Sequence, residues 1–195
     1  MGINSAPMDA LDFLNRRRSV PSRLLTEPGP DDRQLDALLN AALRVPDHGK
    51  LTPWRFLTLR GEARHVLGER LVARALALDP LAPASTIEKD RARFSFAPLI
   101  VVVVATPVAG HKVPVVEQLV SGGAVCFALL QGAQALGFGA QWLTGWAAYD
   151  RTILDQLGLA AHEQVLGFIH IGTSQGEAPE RLRPTLESKL SDWTP

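Results

Sequence analysis

From Leu99 to Ala105 the chain reads Leu-Ile-Val-Val-Val-Val-Ala, without a polar side chain. β-branched residues are stiff at χ1 and favour extended backbone, and a run with no polar alternation leaves neither face for water. The segment is therefore predicted to be an internal strand with little access to solvent. Such a strand needs a substantial core around it. A chain of 195 residues, 46% of them hydrophobic, is long enough for one well-buried domain and would be crowded as two.

The span from Val115 to Leu136 imposes the second constraint. Val116, Leu119, Val120, Phe127 and Leu130 mark a mainly apolar helix, which at ~1.5 Å per residue extends roughly 33 Å. Gly122, Gly123, Ala124, Ala128, Gly132 and Ala133 leave room for another element to approach closely. The same glycines weaken the helix in isolation, so tertiary or subunit packing must compensate. A central core helix and a helix that also contributes to a dimer interface both fit the pattern.

Shorter signals fill in the remaining elements. Met8, Leu11 and Leu14 mark one face of an N-terminal helix, and a Pro/Gly-containing connection follows from Pro21 to Pro30. Asp31 and Gln34 form a capping box for a helix carrying Leu35, Leu38, Leu39, Ala42 and Leu43, which Pro46 ends. Trp54 to Leu59 reads as a strand stopped near Gly61, Glu62 to Leu78 as a helix, and the region around Ile87 to Phe94 as a short helix. Gly137-Phe138-Gly139 turns into a strand from Ala140 to Leu143, and Asp150 caps a short helix carrying Ile153, Leu154 and Leu157. Gln164 to Ile171 is a further internal strand. The tail from Pro179 to Pro195 is too poor in apolar residues for a domain of its own, and packs across this chain or a neighbouring copy.

Two leading helices and irregularly spaced strands make this a mixed α+β chain, not a βαβ relay. Gly137-Phe138-Gly139-Ala140 follows a helix and precedes a strand, the wrong context for a dinucleotide-binding glycine motif.

Lys+Arg and Asp+Glu number 20 each, so there is no broad electrostatic reason to expect nucleic acid or an anionic membrane as a partner. Any anion site must be local, and Arg16-Arg17-Arg18-Ser19 is the candidate. Those arginines either answer the free carbonyls of the preceding helix or grip a compact phosphate through guanidinium forks and a hydroxyl. A lone Cys126 cannot form an internal disulfide, which points to a reducing compartment and a cytoplasmic location. No secretory signal is expected at the N-terminus, and no apolar run of the ~18 to 20 residues that span a membrane. His65, His111, His162 and His170 are scattered, and no metal is expected.

Taken in order, Arg16 to Ser19, Arg44-Val45-Pro46-Asp47-His48, Thr52-Pro53-Trp54-Arg55-Phe56 and Gln141-Trp142-Leu143-Thr144-Gly145 resemble the FMN-dependent nitroreductase family. The likeness is strongest to its short, single-domain bacterial NAD(P)H branch and runs from Asp9 to Gly172. It implies an α+β nitroreductase-like fold over residues 1–195, with a central mainly antiparallel sheet surrounded by helices. It also implies a homodimer whose long interface helix helps form FMN sites from both chains; the composition of the first few residues points to a loose N-terminus.

By the same resemblance Arg17, Arg18 and Ser19 are phosphate and ribityl ligands, with Arg16 a spectator and Arg23 either orienting the loop or joining the phosphate cluster. Arg44 and His48 approach the cofactor. Trp142 covers an apolar face, while Leu143, Thr144 and Gly145 offer backbone donors and a hydroxyl to the ring. Arg181 or Arg183 aligns loosely with a basic phosphate ligand. The family often carries an amide-bearing residue where this chain has Thr52. The implied activity passes reducing equivalents from NADH or NADPH through FMN to a nitroaromatic, quinone or related small acceptor by a ping-pong mechanism, without a covalent nucleophile. The alternative is an FMN-binding or storage protein with little turnover.

Overall fold

A computed structural model describes residues 9–195; Met8, expected on the first helix, and the N-terminus expected to be loose lie outside them. In chain order come α1 (Ala10–Arg16), β1 (Leu25–Thr26), α2 (Asp32–Ala42), β2 (Trp54–Arg60) and α3 (Glu62–Leu78). Next are α4 (Ala84–Ala92), β3 (Leu99–Ala105), α5 (Val115–Ala135), β4 (Gly139–Leu143), α6 (Arg151–Gln156) and β5 (Gln164–Ser174). The capping box forms as read: Asp31 Oδ1 accepts from Gln34 N at 2.7 Å and Gln34 Oε1 from Asp31 N at 3.0 Å. α4 lies a few residues earlier than expected, because Arg93 already serves as its C-cap and Phe94 turns into the core.

Every strand pairing is antiparallel. β3 lies between β2 and β5, while β4 and β1 pair successive stretches of β5. The unbroken apolar run of β3 now has its physical reason. Leu99, Val101 and Val103 face α2 and α5 together with Ile169 and Ile171. Ile100, Val102 and Val104 face Leu67 and Leu71 of α3, Phe94 and Ile153 of α6. With a layer on each side no position is left for a polar residue, and each large aliphatic side chain so buried contributes about 1.5–3 kcal/mol.

The glycines of α5 carry out the packing expected of them. A Cβ on Gly122 would come within 2.3 Å of Leu166 Cδ1, and one on Gly132 within 2.5 Å of Leu38 Cδ1. β5 and α2 therefore close onto the helix at just those points, and their burial offsets the weak intrinsic propensity. The opposite side of α5 stays uncovered, with Val116, Val120 and Phe127 exposed, and Leu11 and Leu14 of α1 are exposed as well. Core and interface readings of this helix are thus compatible, since they concern different faces. Contrary to the sequence expectation, α5 with its 21 residues and mean hydropathy of 1.4 could cross a membrane by length and composition. Its apolarity has another source here, in packing against α2, β3, β4 and β5.

Candidate functional site

α1 ends at Arg16, and the next residues run beside β4. Val20 N donates to Ala140 O at 3.0 Å and Ser22 N to Gln141 Oε1 at 2.6 Å. Gly139 makes room for this strip, because a Cβ there would lie 3.0 Å from Val20 Cγ2. Arg17 Nη1 consequently sits 3.4 Å from Ser19 Oγ, and its guanidinium carbon 5.9 Å from the centre of the Phe127 ring on α5. Arg18 donates to Asn15 O at 2.6 Å and to Arg17 O at 3.1 Å, so it does answer the helix-end carbonyls. It also pairs with Glu180 at the root of the tail.

The electrostatics of this strip are unbalanced. Desolvation first, then Arg183 and Arg18, hold the Arg17 pKa below its ordinary value. Glu180 is held below the ordinary carboxylate range by its hydrogen bond from Arg181 N and, less strongly, by Arg18 and Arg183. Arg18 and Arg183 thus lie near the exposed Glu180 carboxylate, and both also bear on Arg17. An arrangement of three guanidinium groups and a hydroxyl is suited to a compact anion with several acceptor oxygens. Arg16 and Arg23 are exposed at its margins.

Arg44 follows the C-terminus of α2 and lines a cleft of about 470 Å³ together with Phe13, Pro46, Ala124 and Phe127. Phe127 is the element common to the Arg17 contact and this cleft. His48 lies farther along α5, on one tight helical turn, with Nδ1 2.6 Å from Glu117 Oε2. The pair borders a second cleft of about 270 Å³ lined by Pro46, Val116, Val120 and Ser121. Glu117 was not picked out in the sequence, where an acidic residue in the first turn of a helix is already explained by the helix dipole.

The loop between these points is strained. Gly49, Lys50 and Thr52 have φ of 77°, 55° and 46°. A β-branched residue is disfavoured in that region, whereas Asn tolerates it, so Thr52 departs from an amide in backbone preference as well as in hydrogen bonding. Asp47 Oδ2 accepts from Thr52 N at 2.8 Å and holds the conformation. Trp54, beyond it, is buried in the core.

Trp142 lies across β5, its Nε1 donating to Leu166 O at 2.9 Å. Leu166 is the extra residue where the β3–β5 register shifts. Gly167 leaves space for the indole, since a Cβ there would fall 2.2 Å from Trp142 Nε1. Leu143 is the last residue of β4, and half-buried Thr144 leads to Gly145 at φ 78°. The fold therefore places the Arg17–Ser19 strip beside β4, which carries Trp142 and Leu143 and leads into Thr144 and Gly145, and links Arg17 to Arg44 through Phe127. His48 stands apart from them with Glu117. Among the described residues no group of three His, Cys, Asp or Glu side chains could hold a metal ion. Burial pushes the Cys126 thiol up to about 12, which leaves it unreactive.

The sequence profile of the Nitroreductase family matches residues 14–173. The chain belongs to the nitroreductase family. YdjA of Escherichia coli (strain K12), which carries an NAD(P)H nitroreductase name, is 37% identical over 171 residues, covering 88% of this chain and 91% of that protein. A Haemophilus influenzae protein with an NAD(P)H nitroreductase name is 33% identical over 178 residues, covering 90% of this chain and 94% of its own. Among solved structures, a nitroreductase-like family protein from Bacillus cereus superposes with a TM-score of 0.80 at 24% identity, covering 97% of this chain and 98% of that one. A Desulfovibrio desulfuricans protein of nitroreductase name, solved in complex with FMN, has a TM-score of 0.71 at 24% identity over 97% of this chain and 100% of its own. These two likenesses establish the nitroreductase fold, including its antiparallel sheet and long helix.

Proposed function

We propose that this nitroreductase-family chain is an FMN-dependent oxidoreductase, taking reducing equivalents from NADH or NADPH and passing them to a nitroaromatic, quinone or related small acceptor in alternation. The observation that carries the proposal is the gathering of Arg17 and Arg18, on the strip that runs beside β4, with Arg183 of the tail, where Glu180 pairs with Arg18. A phosphate supplies the negative charge that this cluster lacks. When bound, FMN supplies the hydride and electron chemistry, while the protein binds, orients and shields it.

In this reading Arg17 and Ser19 hold the phosphate and ribityl oxygens, and Arg18 turns from Glu180 towards the same anion. Trp142 covers an apolar face, its indole fixed by Leu166 O. The backbone of Leu143 to Gly145 and the Thr144 hydroxyl meet the ring, Arg44 adds positive charge at the cleft beside Phe127, and His48 faces cofactor or acceptor with its tautomer set by Glu117.

The active form is proposed to be a homodimer with FMN sites at the subunit interface. Support comes from the uncovered apolar stripe of α5 and from a tail that leaves Leu182, Leu186, Leu190 and Trp193 exposed. A second copy covers both surfaces without any change in the fold of the first. Zero net charge favours neither a nucleic-acid nor a membrane partner, and the single thiol suits the cytoplasm.

Anaerobic titration of the FMN-loaded protein with NADH and NADPH tests the activity. The flavin absorbance should bleach and return on addition of a quinone. Tight FMN binding without bleaching would move the assignment to an FMN-storage protein, for which the strained Thr52 is the supporting feature. No FMN uptake would sink both. Light scattering tests the assembly, and a monomer at working concentration contradicts it.

A further inference from the structure

Behind the Thr144–Gly145 turn lies a charged pair that neither the sequence patterns nor the family resemblance singled out. Asp90, in the last turn of α4, is 4% exposed. Its Oδ1 accepts from Arg93 Nη2 at 2.6 Å, from Arg93 Nε at 3.2 Å and from Trp146 Nε1 at 3.1 Å. One carboxylate oxygen thus ties the C-cap of α4 to the residue directly after Gly145. Arg93 Nη1 takes no part in these bonds. It stands against Gly145, where a Cβ would come within 2.8 Å of it. Glycine at 145 therefore meets two demands, a φ of 78° and the close approach of a guanidinium. The Arg93 side chain as a whole keeps 21% exposure.

A clamp that only held the turn would be complete with Nε, Nη2 and the indole. The additional feature is a positive donor, rigidly aimed because its other two nitrogens are anchored, with no hydrogen bond of its own among the described residues. His170 lies next to it, 1% exposed and stacked on Phe94, and remains uncharged beside Arg93. His170 therefore adds no positive charge to that of Arg93.

We infer that Arg93 is a further cofactor-binding residue, whose Nη1 donates to the electron-rich edge of a flavin ring lying on the Thr144–Gly145 turn, and that Asp90 is its positioning residue. The inference rests on the FMN reading and adds to it a specific charge. A fixed cation beside the ring favours the more negative, reduced state of the flavin, so it raises the midpoint potential as well as the affinity.

The test compares the parent, Arg93→Lys and the double variant Asp90→Asn with Arg93→Met, which removes both charges and leaves no buried ion unpaired. FMN affinity is read by quenching of free FMN fluorescence, midpoint potential by dye-linked titration, and apo-protein stability by urea unfolding. The double variant is expected to bind FMN about tenfold or more weakly, at a more negative potential, with apo stability near that of the parent. Arg93→Lys should keep a potential close to the parent's while binding FMN less tightly, because the charge stays and the anchored fork is lost. A parent that binds FMN alongside a double variant of equal affinity and potential overturns the role of Arg93 alone. Loss of stability with affinity and potential intact likewise reduces the pair to a structural clamp. A parent that takes up no FMN overturns the cofactor reading and this inference together.

Discussion

Two arginine groups in this protein meet opposite electrostatic circumstances. Arg93 is anchored on a buried carboxylate delivered by its own helix three residues earlier. Arg18 and Arg183 lie by one exposed glutamate of the tail, and Arg17 sits beside those two arginines without a carboxylate of its own among the described residues. Where a charge finds its partner inside the chain, the pair sets a turn or a helix end. Where positive charge gathers beyond the internal supply of carboxylates, an external anion is the natural complement. An internally paired arginine is held in place before any occupant arrives, whereas the open cluster is completed by one.

Breaking the buried pair should give the largest effect. Asp90→Ala strands the Arg93 charge and should cost about 3 kcal/mol or more, seen as a lowered urea midpoint; an unchanged midpoint would place the pair in effectively free solvent. Next comes pH. Burial first, and Arg93 second, lower the His170 pKa from 6.5 to about 4. Between those values the unfolded chain binds a proton that the folded one refuses. Stability should therefore fall as pH drops from 6.5 towards 4, by at most about 3 kcal/mol. His170→Phe should remove that part of the pH dependence, and a variant with the parent's profile would assign it elsewhere.

The open cluster should behave in the opposite way. Arg17→Ala is expected to weaken FMN binding about tenfold or more while urea stability stays within about 0.5 kcal/mol. A stability loss with FMN affinity intact would make Arg17 part of the scaffold. Smallest of all, Glu180→Gln should tighten FMN binding about two- to fivefold by freeing Arg18 from a surface ion pair. Weaker binding in that variant would show that Glu180 organises the cluster and does not compete with the anion.

Periodicity and end signals made much of the fold legible. The limits of β3 and α3, the capping box of α2, the Asp150 cap and most of α5 follow from spacing over a few residues. β1 was hidden in a proline-rich connection, because two residues become a strand only when β5 supplies the partner. The basic strip and the Trp142–Gly145 segment were visible through their order along the chain. Glu117 and Arg93 were not, since a helical acid and a helix-end arginine have ordinary local explanations.

The sequence by itself determined most of the helices and strands other than β1, where the core must lie, and that positive charge collects after the first helix. Each is set by neighbours in the chain through backbone preference, side-chain period and local charge. Only the tertiary structure decided that His48 meets a carboxylate 69 residues away, and that Trp146 meets Asp90 56 residues before it. It also decided that Gly145 opens a place for Arg93. Such contacts depend on sheet register and on where helices close over the sheet, which many distant pairings settle together and no local pattern records.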